Sequence, residues 1–207
     1  KIEEDEGGFR IGCMATLHDI ETHEGLNKEF QNLFKEAVRH IVGVQFRNCA
    51  TIGGSIFPKL GFSDVLTAFL ACDTQVILYK KGEVPLREFI YIPTDNDILT
   101  HLYVKKDGRK TAYESFRMTE TDFPTITCAM AKTQDGFETV LGARPKHAEV
   151  VVDEVVADAF SSEEVADYAK RVIGKLQYGS NIRGSEQYRK QLSKVLIGRC
   201  ISRLTEE

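Results

Sequence analysis

Two adjacent glycines, Gly53 and Gly54, stand inside the segment NCATIGGSIF, residues 48–57. Ordering glycine costs more conformational entropy than ordering any other residue, so a glycine pair is retained where something passes close to bare backbone. N–H groups around such a pair, followed by a helix start, form a concave donor surface that suits a pyrophosphate, and Thr51 and Ser55 add hydroxyls. The fingerprints GxGxxG and GxxxxGKS/T are both absent. From the residues alone, the segment can be either a tight turn or a nucleotide-binding loop.

The overall composition excludes several classes of protein. Of the 207 residues, 42% are hydrophobic and 28% are charged, and the formal net charge is −4. This balance is ordinary for a globular protein and argues against a nucleic-acid binder, which would carry a basic patch. No apolar run approaches the roughly 18 residues that cross a bilayer, and no signal-peptide pattern is present. We expect a cytoplasmic protein with one large domain or two small ones.

Cysteine and histidine spacing gives no metal or nucleophile motif. The five cysteines form no CxxC pair, so a zinc or iron–sulfur site built from local spacing is not expected. His18 and His23 lie close to Glu21 and Glu24, where a solvated acidic turn is favoured over a metal site. No nucleophile with a nearby base is recognisable, so neither a catalytic residue nor a metal ligand is predicted on this chain.

The first region, residues 1–110, mixes strands with short helices. Thr16 or Asp19 is expected to cap a helix that follows a strand and a turn. Apolar residues at helical spacing predict one amphipathic helix over 27–42, with Gly43 as its stop. The remaining predictions are a helix at 63–73, two strands within 74–90 joined by a turn at Lys81-Gly82, and a strand at 97–106.

The second region, residues 111–207, has the pattern of a small sheet with helices across it. A hairpin is predicted over 125–143, turning at Asp135-Gly136, and a strand within 148–160. Ser161 and Glu164 form a capping-box pattern at the start of a helix over 161–176. A long amphipathic helix is predicted over 185–204.

Four segments, in the same order, resemble the FAD-binding subunit or middle domain of the molybdenum hydroxylases. This is the xanthine dehydrogenase and carbon monoxide dehydrogenase flavoprotein family. The segments are FRIGCMATLHDIE, QFRNCATIGGSI with the following GFSDVLTAFLACD, FRMTETDFPTITCAMA, and NIRGSEQYRKQLSKVL. The resemblance implies an α+β fold. Residues 1–110 would be the second FAD-binding subdomain of PCMH type, with a mixed or antiparallel sheet and helices, and residues 111–207 a C-terminal α+β domain with a three-stranded antiparallel sheet.

The resemblance also implies a set of FAD contacts. The residues that would hold the pyrophosphate are Thr51, Ile52, Gly53, Gly54 and Ser55, and a Cβ at Gly53 would block the phosphate. Asp64 would reach the ribose or an adjacent polar part of FAD. Ile41 would pack near the adenine, and Leu99 would lie by the isoalloxazine ring. Helix capping is the alternative role for Asp64, and core packing is the alternative for Ile41 and Leu99.

The chain departs from the family pattern in three places. Ser55 stands where the family usually has asparagine. A lysine near the flavin has no clear counterpart, and Tyr113, Ser115 and Arg117 are the candidates for its place. The family's first FAD subdomain, with its own glycine-rich loop, should precede Lys1. We therefore expect either a fragment of a longer polypeptide or weakened FAD binding.

The function implied by the resemblance is electron transfer. In the family, a partner subunit carries the molybdenum cofactor and a second partner carries 2Fe–2S clusters, from which FAD passes electrons to NAD⁺ or another acceptor. One alternative is a non-catalytic assembly module that holds FAD weakly or not at all. A further alternative is a flavoenzyme like UDP-N-acetylenolpyruvoylglucosamine reductase. In NIRGSEQYR, the side chains of Arg183, Tyr188 and Arg189 either face a partner or the flavin, or belong to a helix entry with Ser185 as N-cap and Arg189 on a solvated face.

Overall fold

The strands of this protein form two antiparallel sheets. The computed structural model describes residues 1–93, 95–154 and 160–205. The strands in this part are β1 (Ile2–Glu4), β2 (Gly8–Gly12), β3 (Thr74–Leu78), β4 (Gly82–Pro85), β5 (Leu99–Lys105), β6 (Lys110–Phe116), β7 (Ile126–Thr133), β8 (Gly136–Gly142) and β9 (Glu149–Asp153). The helices are α1 (Leu17–Thr22), α2 (Glu24–Glu29), α3 (Leu33–Val38), α4 (Val44–Arg47), α5 (Ile52–Ile56), α6 (Asp64–Leu70), α7 (Leu86–Phe89), α8 (Ser162–Gly174) and α9 (Glu186–Thr205).

The first sheet has the strand order β1-β2-β5-β3-β4. Every pairing in it is antiparallel. The alternation in β3 buries Thr74, Val76 and Leu78 on one face, as expected for a half-covered strand. Helices α1 to α3 and α5 to α7 contribute to the core on this side, which contains several contacting phenylalanine rings: Phe9, Phe30, Phe34 and Phe69.

The second sheet has the order β6-β7-β8-β9, with α9 packed on β6 and β7 and α8 packed on α9. The predicted hairpin is confirmed, with β7 and β8 joined at Asp135-Gly136. The sheet has four strands where the family resemblance implied three. The additional strand is β9, whose valine-rich segment EVVVD pairs with β8 from Glu149 to Asp153. β-branched residues favour such an extended, partly covered position.

The single helix predicted over 27–42 is wrong. The segment breaks into α2 and α3 because Gln31 and Asn32 adopt positive φ angles of 45° and 62°. The side chain of Asn27 stabilises the break. Its Nδ2 donates to three carbonyls at and just after the end of α1, and its Oδ1 accepts the Lys35 N–H at 3.1 Å. Helical periodicity survives because the apolar residues of both helices still face the same core.

Two smaller predictions also need correction. Gly43 does not stop a helix; it precedes α4 as its N-cap residue. Residues 86–89 form the short helix α7 and not the end of a strand. None of the helices in the described residues combines the length and apolar character of a membrane span.

The connection between the two sheets is short. β5 ends at Lys105 and β6 begins at Lys110. Buried residues of the second sheet, including Ala129 and Val140, join the core of the first sheet. A division into domains at residues 110 and 111 stays a prediction.

Candidate functional site

A cleft of about 540 Å³ opens beside α5 and the start of α6. Its volume lies within the range of small-molecule sites, and its walls are mostly apolar with a few polar groups, as is usual for such sites. The apolar wall is formed largely by Ile41, Val42, Phe46, Leu60, Phe62 and Phe123, and the polar groups include His40, Cys49, Thr51, Ser55, Asp64 and Arg117. Both halves of the chain contribute, because Arg117 and residues 121–124 follow β6.

The cleft brings together five of the eight residues predicted to contact FAD. These are Ile41, Thr51, Gly54, Ser55 and Asp64. The other three residues lie elsewhere. Ile52 is fully buried in the core, Gly53 packs against the loop after β2, and Leu99 is buried on β5. Contact of these eight residues with FAD stays a prediction.

The backbone N–H groups of the glycine segment are already paired within the protein. Ile52 donates to Ala15 O at 2.9 Å, and Gly53 donates to Cys13 O at 2.8 Å. Gly54 donates to Thr51 Oγ1 at 3.2 Å, and the Ser55 hydroxyl donates to Thr51 O at 3.0 Å. The first two bonds hold the segment to the β2–α1 loop, and the other two close the first turn of α5. Among the described residues nothing accepts the Thr51 hydroxyl proton, so that hydroxyl is the donor left for a phosphate.

The two glycines have different reasons for being glycine. A Cβ at Gly53 would lie 2.9 Å from Cys13 Cβ and 3.0 Å from Cys13 O, which is closer than real Cβ contacts. A Cβ at Gly54 would meet only Thr51 Oγ1, at 3.2 Å, on the side of the cleft. The expectation that Gly53 leaves room for a phosphate is therefore corrected. Gly53 leaves room for Cys13, and Gly54 borders the cleft.

Asp64 is the most deeply buried carboxylate of the cleft. Ser63 caps α6 by accepting the Leu66 N–H at 3.0 Å, so Asp64 is not the helix cap. Its Oδ1 accepts two hydrogen bonds, from Tyr113 Oη at 2.5 Å and from Arg117 Nη2 at 2.6 Å. Burial raises the pKa of Asp64 to about 6, an effect larger than the opposing influence of Arg117 and Tyr113.

Arg117 leaves polar groups in the cleft wall without acceptors. Its side chain is only 6% exposed, and its Nε and Nη1 have no hydrogen-bond partner among the described residues. Buried donors without acceptors are rare and costly. A ligand with phosphate, ribose or flavin oxygens would supply acceptors here, so the donor set fits FAD. Tyr113 and Arg117, two candidates for the place of the family lysine, are both bound to Asp64.

The pKa of Asp64 predicts a pH-dependent stability. It is about 6 in the folded chain against 3.8 ordinarily, so the folded state holds the proton more tightly. The resulting stabilisation is complete below about pH 4 and is lost as the pH rises through about 6. We expect wild type to lose about 3 kcal/mol of unfolding free energy relative to Asp64→Asn over this range. Urea unfolding at several pH values measures the unfolding free energy of both proteins. A difference between them that does not change with pH would contradict the prediction.

The RGSEQYR segment is a helix entry. Ser185 Oγ accepts the Tyr188 N–H at 3.2 Å. The predicted solvated position of Arg189 is wrong, because this side chain is buried and donates to the carbonyls of Thr125 and Ala143. Arg183 pairs with Asp122 at 3.0 Å and stacks over Phe123, which also borders the cleft. These side chains therefore fix the loop at the rim of the cleft.

The side chains around His18 are paired with one another. His18 Nδ1 lies 3.3 Å from Glu21 Oε2, and Glu21 is paired with Arg47 at 2.8 Å. Across residues 1–93, 95–154 and 160–205, no three histidine, cysteine, aspartate or glutamate side chains gather as a metal site would need.

Apart from Ile41, sequence reasoning missed the apolar wall of the cleft. Phe46, Phe62 and Phe123 line it while remaining between 40% and 50% exposed. They lie on a four-residue helix and in two loops, where apolar residues follow no period. The available signal was the occurrence of large aromatic residues beside glycine, serine and aspartate in loop-like segments, which is weak.

The fold is α+β, and both halves of the chain line a cleft whose volume is typical of small-molecule sites. The same fold occurs in carbon monoxide dehydrogenase from Hydrogenophaga pseudoflava. The TM-score is 0.86 and the identity 22%, over 99% of this chain and 77% of that one. The chain belongs to the family described as the FAD binding domain in molybdopterin dehydrogenase, whose sequence model matches residues 1–104. The family resemblance and the α+β class predicted above are thereby confirmed.

Two curated relatives extend over nearly the whole chain. The glyceraldehyde dehydrogenase medium chain of Sulfolobus acidocaldarius is 28% identical over 206 residues, covering 91% of this chain and 73% of the relative. The 6-hydroxypseudooxynicotine dehydrogenase complex subunit alpha of Paenarthrobacter nicotinovorans is 23% identical, covering 98% of this chain and 74% of the relative. The chain is thus of the FAD-binding type found in dehydrogenases of the molybdenum hydroxylase class.

Proposed function

We propose that this chain is the electron-transfer flavin subunit of a molybdenum-containing dehydrogenase complex. Electrons would come from 2Fe–2S clusters on one partner subunit, after substrate oxidation at a molybdenum cofactor on another. They would leave through FAD to NAD⁺ or another acceptor. The family match supports this role, and so do relatives that are named as a medium chain and as a subunit of a complex. The cytoplasmic location stays a prediction.

The observation that carries the proposal is the convergence of Thr51, Gly54 and Asp64 on one apolar cleft. Bound FAD supplies the redox chemistry, and the protein supplies binding, orientation and electrostatics. The Thr51 hydroxyl has a proton to donate to a phosphate oxygen, and Gly54 allows close approach beside it. Asp64 has an oxygen for a ribose hydroxyl, and Ile41 and Phe46 shield the cofactor from water. No acid–base side chain is required of this chain.

One observation favours an alternative, a subunit that docks on its partners while holding FAD weakly. The N–H groups of residues 52–55 are bonded within the protein, so this segment offers a phosphate fewer donors than the glycine pair suggests. An absorbance spectrum separates the two functions. Flavin bands near ~450 nm, at about one FAD per chain after reconstitution, support electron transfer. A protein that stays colourless with excess FAD would overturn it.

Cys49 makes it possible to map the site. This thiol is exposed and lines the cleft, whereas Cys72, Cys128 and Cys200 are buried. We expect FAD to slow alkylation of Cys49 by N-ethylmaleimide about tenfold or more, because a ligand filling a cleft covers most of its wall. Peptide mass spectrometry measures the rate.

Cys13 provides the internal control for this experiment. It is partly exposed but lies behind Gly53, outside the residues that line the cleft. Its alkylation rate is expected to be the same with and without FAD. If Cys49 is alkylated equally fast in both conditions, in a protein that has bound FAD, then FAD binds outside this cleft.

A further inference from the structure

Residues from both halves of the chain meet at Asp64. Asp64 is the first residue of α6, Tyr113 lies on β6, and Arg117 follows β6 directly. All three side chains are almost completely buried. The Tyr113 hydroxyl and the Arg117 guanidinium donate to the same atom, Asp64 Oδ1, at 2.5 and 2.6 Å. Two donors on one oxygen fix the orientation of the carboxylate.

The second oxygen of Asp64 is less committed than the first, although the Asp64 backbone N–H also bonds the carboxylate. No side chain among the described residues donates to Oδ2, and Asp64 belongs to the wall of the cleft. A carboxylate oxygen that faces a nucleotide site is a natural acceptor for a ribose hydroxyl. A bare carboxylate would also repel a diphosphate, and the Arg117 charge at 2.6 Å offsets that repulsion.

We propose that Tyr113 and Arg117 are positioning residues for the cofactor. They hold Oδ1 of Asp64 so that Oδ2 accepts a hydrogen bond from a ribose hydroxyl. This inference rests on the proposed function, because it takes FAD to be the ligand of the cleft. Both residues lie beyond the 1–104 match to the family model. The half of the chain outside that match therefore completes the FAD site.

The pH dependence of FAD affinity distinguishes a positioning role of Tyr113 from a purely structural one. The ionisable groups that act on Asp64 are Tyr113 and Arg117, both from the segment packed against α6. Tyr113 has its own pKa raised well above the usual value by burial, so it stays a donor. Losing this donor would raise the pKa of Asp64, because a hydrogen bond to the charged form lowers it.

The experiment compares Tyr113→Phe with wild type in FAD titrations across pH. We expect the FAD dissociation constant to rise about tenfold, because a hydrogen bond to a charged group contributes this much. We also expect the pH midpoint of FAD affinity to move upward. Tyr168→Phe is the matched control. Its hydroxyl is also buried and bonded, to Thr139 at 2.8 Å, but Tyr168 lies on α8, in the core of the second sheet, and is not among the residues that line the cleft. It should cost stability and leave both FAD measurements unchanged.

The outcomes distinguish this inference from the function on which it rests. If wild type binds no FAD, both fail. If wild type binds FAD and Tyr113→Phe binds it equally well with an unchanged pH midpoint, the positioning role alone fails. Arg117→Lys is the second variant, for use if Tyr113→Phe does not fold. It keeps the charge but loses the planar fork, and wild-type affinity in this variant would overturn the role of Arg117.

Discussion

Replacing Gly53 by valine is expected to destabilise the fold itself and not only the binding of a ligand. The Cβ alone would lie 2.9 Å from Cys13 Cβ and 3.0 Å from Cys13 O, and the two branches add more atoms. The loop after β2 cannot withdraw freely because Cys13 O accepts the Gly53 N–H and Cys13 N–H donates to Thr100 O. We expect a loss of about 3 kcal/mol or more. This lowers the melting temperature by roughly 6–12 °C.

The neighbouring glycine provides the matched control. In Gly54→Val the new side chain meets Thr51 Oγ1 at 3.2 Å and otherwise extends toward the cleft. We expect most of the stability to remain, while FAD affinity falls sharply and Cys49 is no longer protected by FAD. Thermal unfolding and FAD titration of the two variants make the comparison. If Gly53→Val melts like wild type but no longer holds FAD, then close packing against Cys13 is not the reason for glycine at position 53.

Local chemistry explains which parts of the fold were predictable from the sequence. Thr16 and Ser161 form capping boxes with the acidic residue three positions later, as their spacing indicates. The turn at Asp135-Gly136 lies where expected because glycine there takes a φ of +133°, which other residues rarely adopt. The ATIGG motif predicted a site in the segment that forms α5, and the cleft opens beside this helix. Each of these signals is contained in a few consecutive residues.

Other features depend on contacts between distant residues. The break at Gln31 and Asn32 follows from the Asn27 side chain bonding across two helices, which helical periodicity does not show. Asp64 is separated by 49 residues from Tyr113, and no local pattern announces their hydrogen bond. Gly53 and Gly54 are adjacent in the sequence, yet only the position of Cys13 reveals that they face different neighbours.

The attachment of the second sheet to the first is a contact of the same long-range kind. Glu138 on β8 accepts hydrogen bonds from Arg87 on α7 and from Arg109 in the β5–β6 connection. The Arg109 and Glu138 side chains are only 6% and 14% exposed. Arg109 also donates to Ala71 O, at the end of α6. One carboxylate therefore links the two halves of the chain.

Glu138→Gln is expected to lower the free energy of unfolding by about 2 kcal/mol, because the buried Arg109 loses its charged partner on β8 and keeps only Asp107. Glu114→Gln is the control. Glu114 also pairs with two arginines, Arg199 and Arg203, but both are at least half exposed and lie on α9, within the same half of the chain. Exposed pairs contribute little, so we expect a loss below about 1 kcal/mol there. Guanidinium unfolding measures the free energy of unfolding of both variants.

A Glu138→Gln protein as stable as wild type would mean that apolar packing alone holds the sheets together. A transition that splits in two would support the domain division at residue 110, because breaking this link would then let each half unfold on its own.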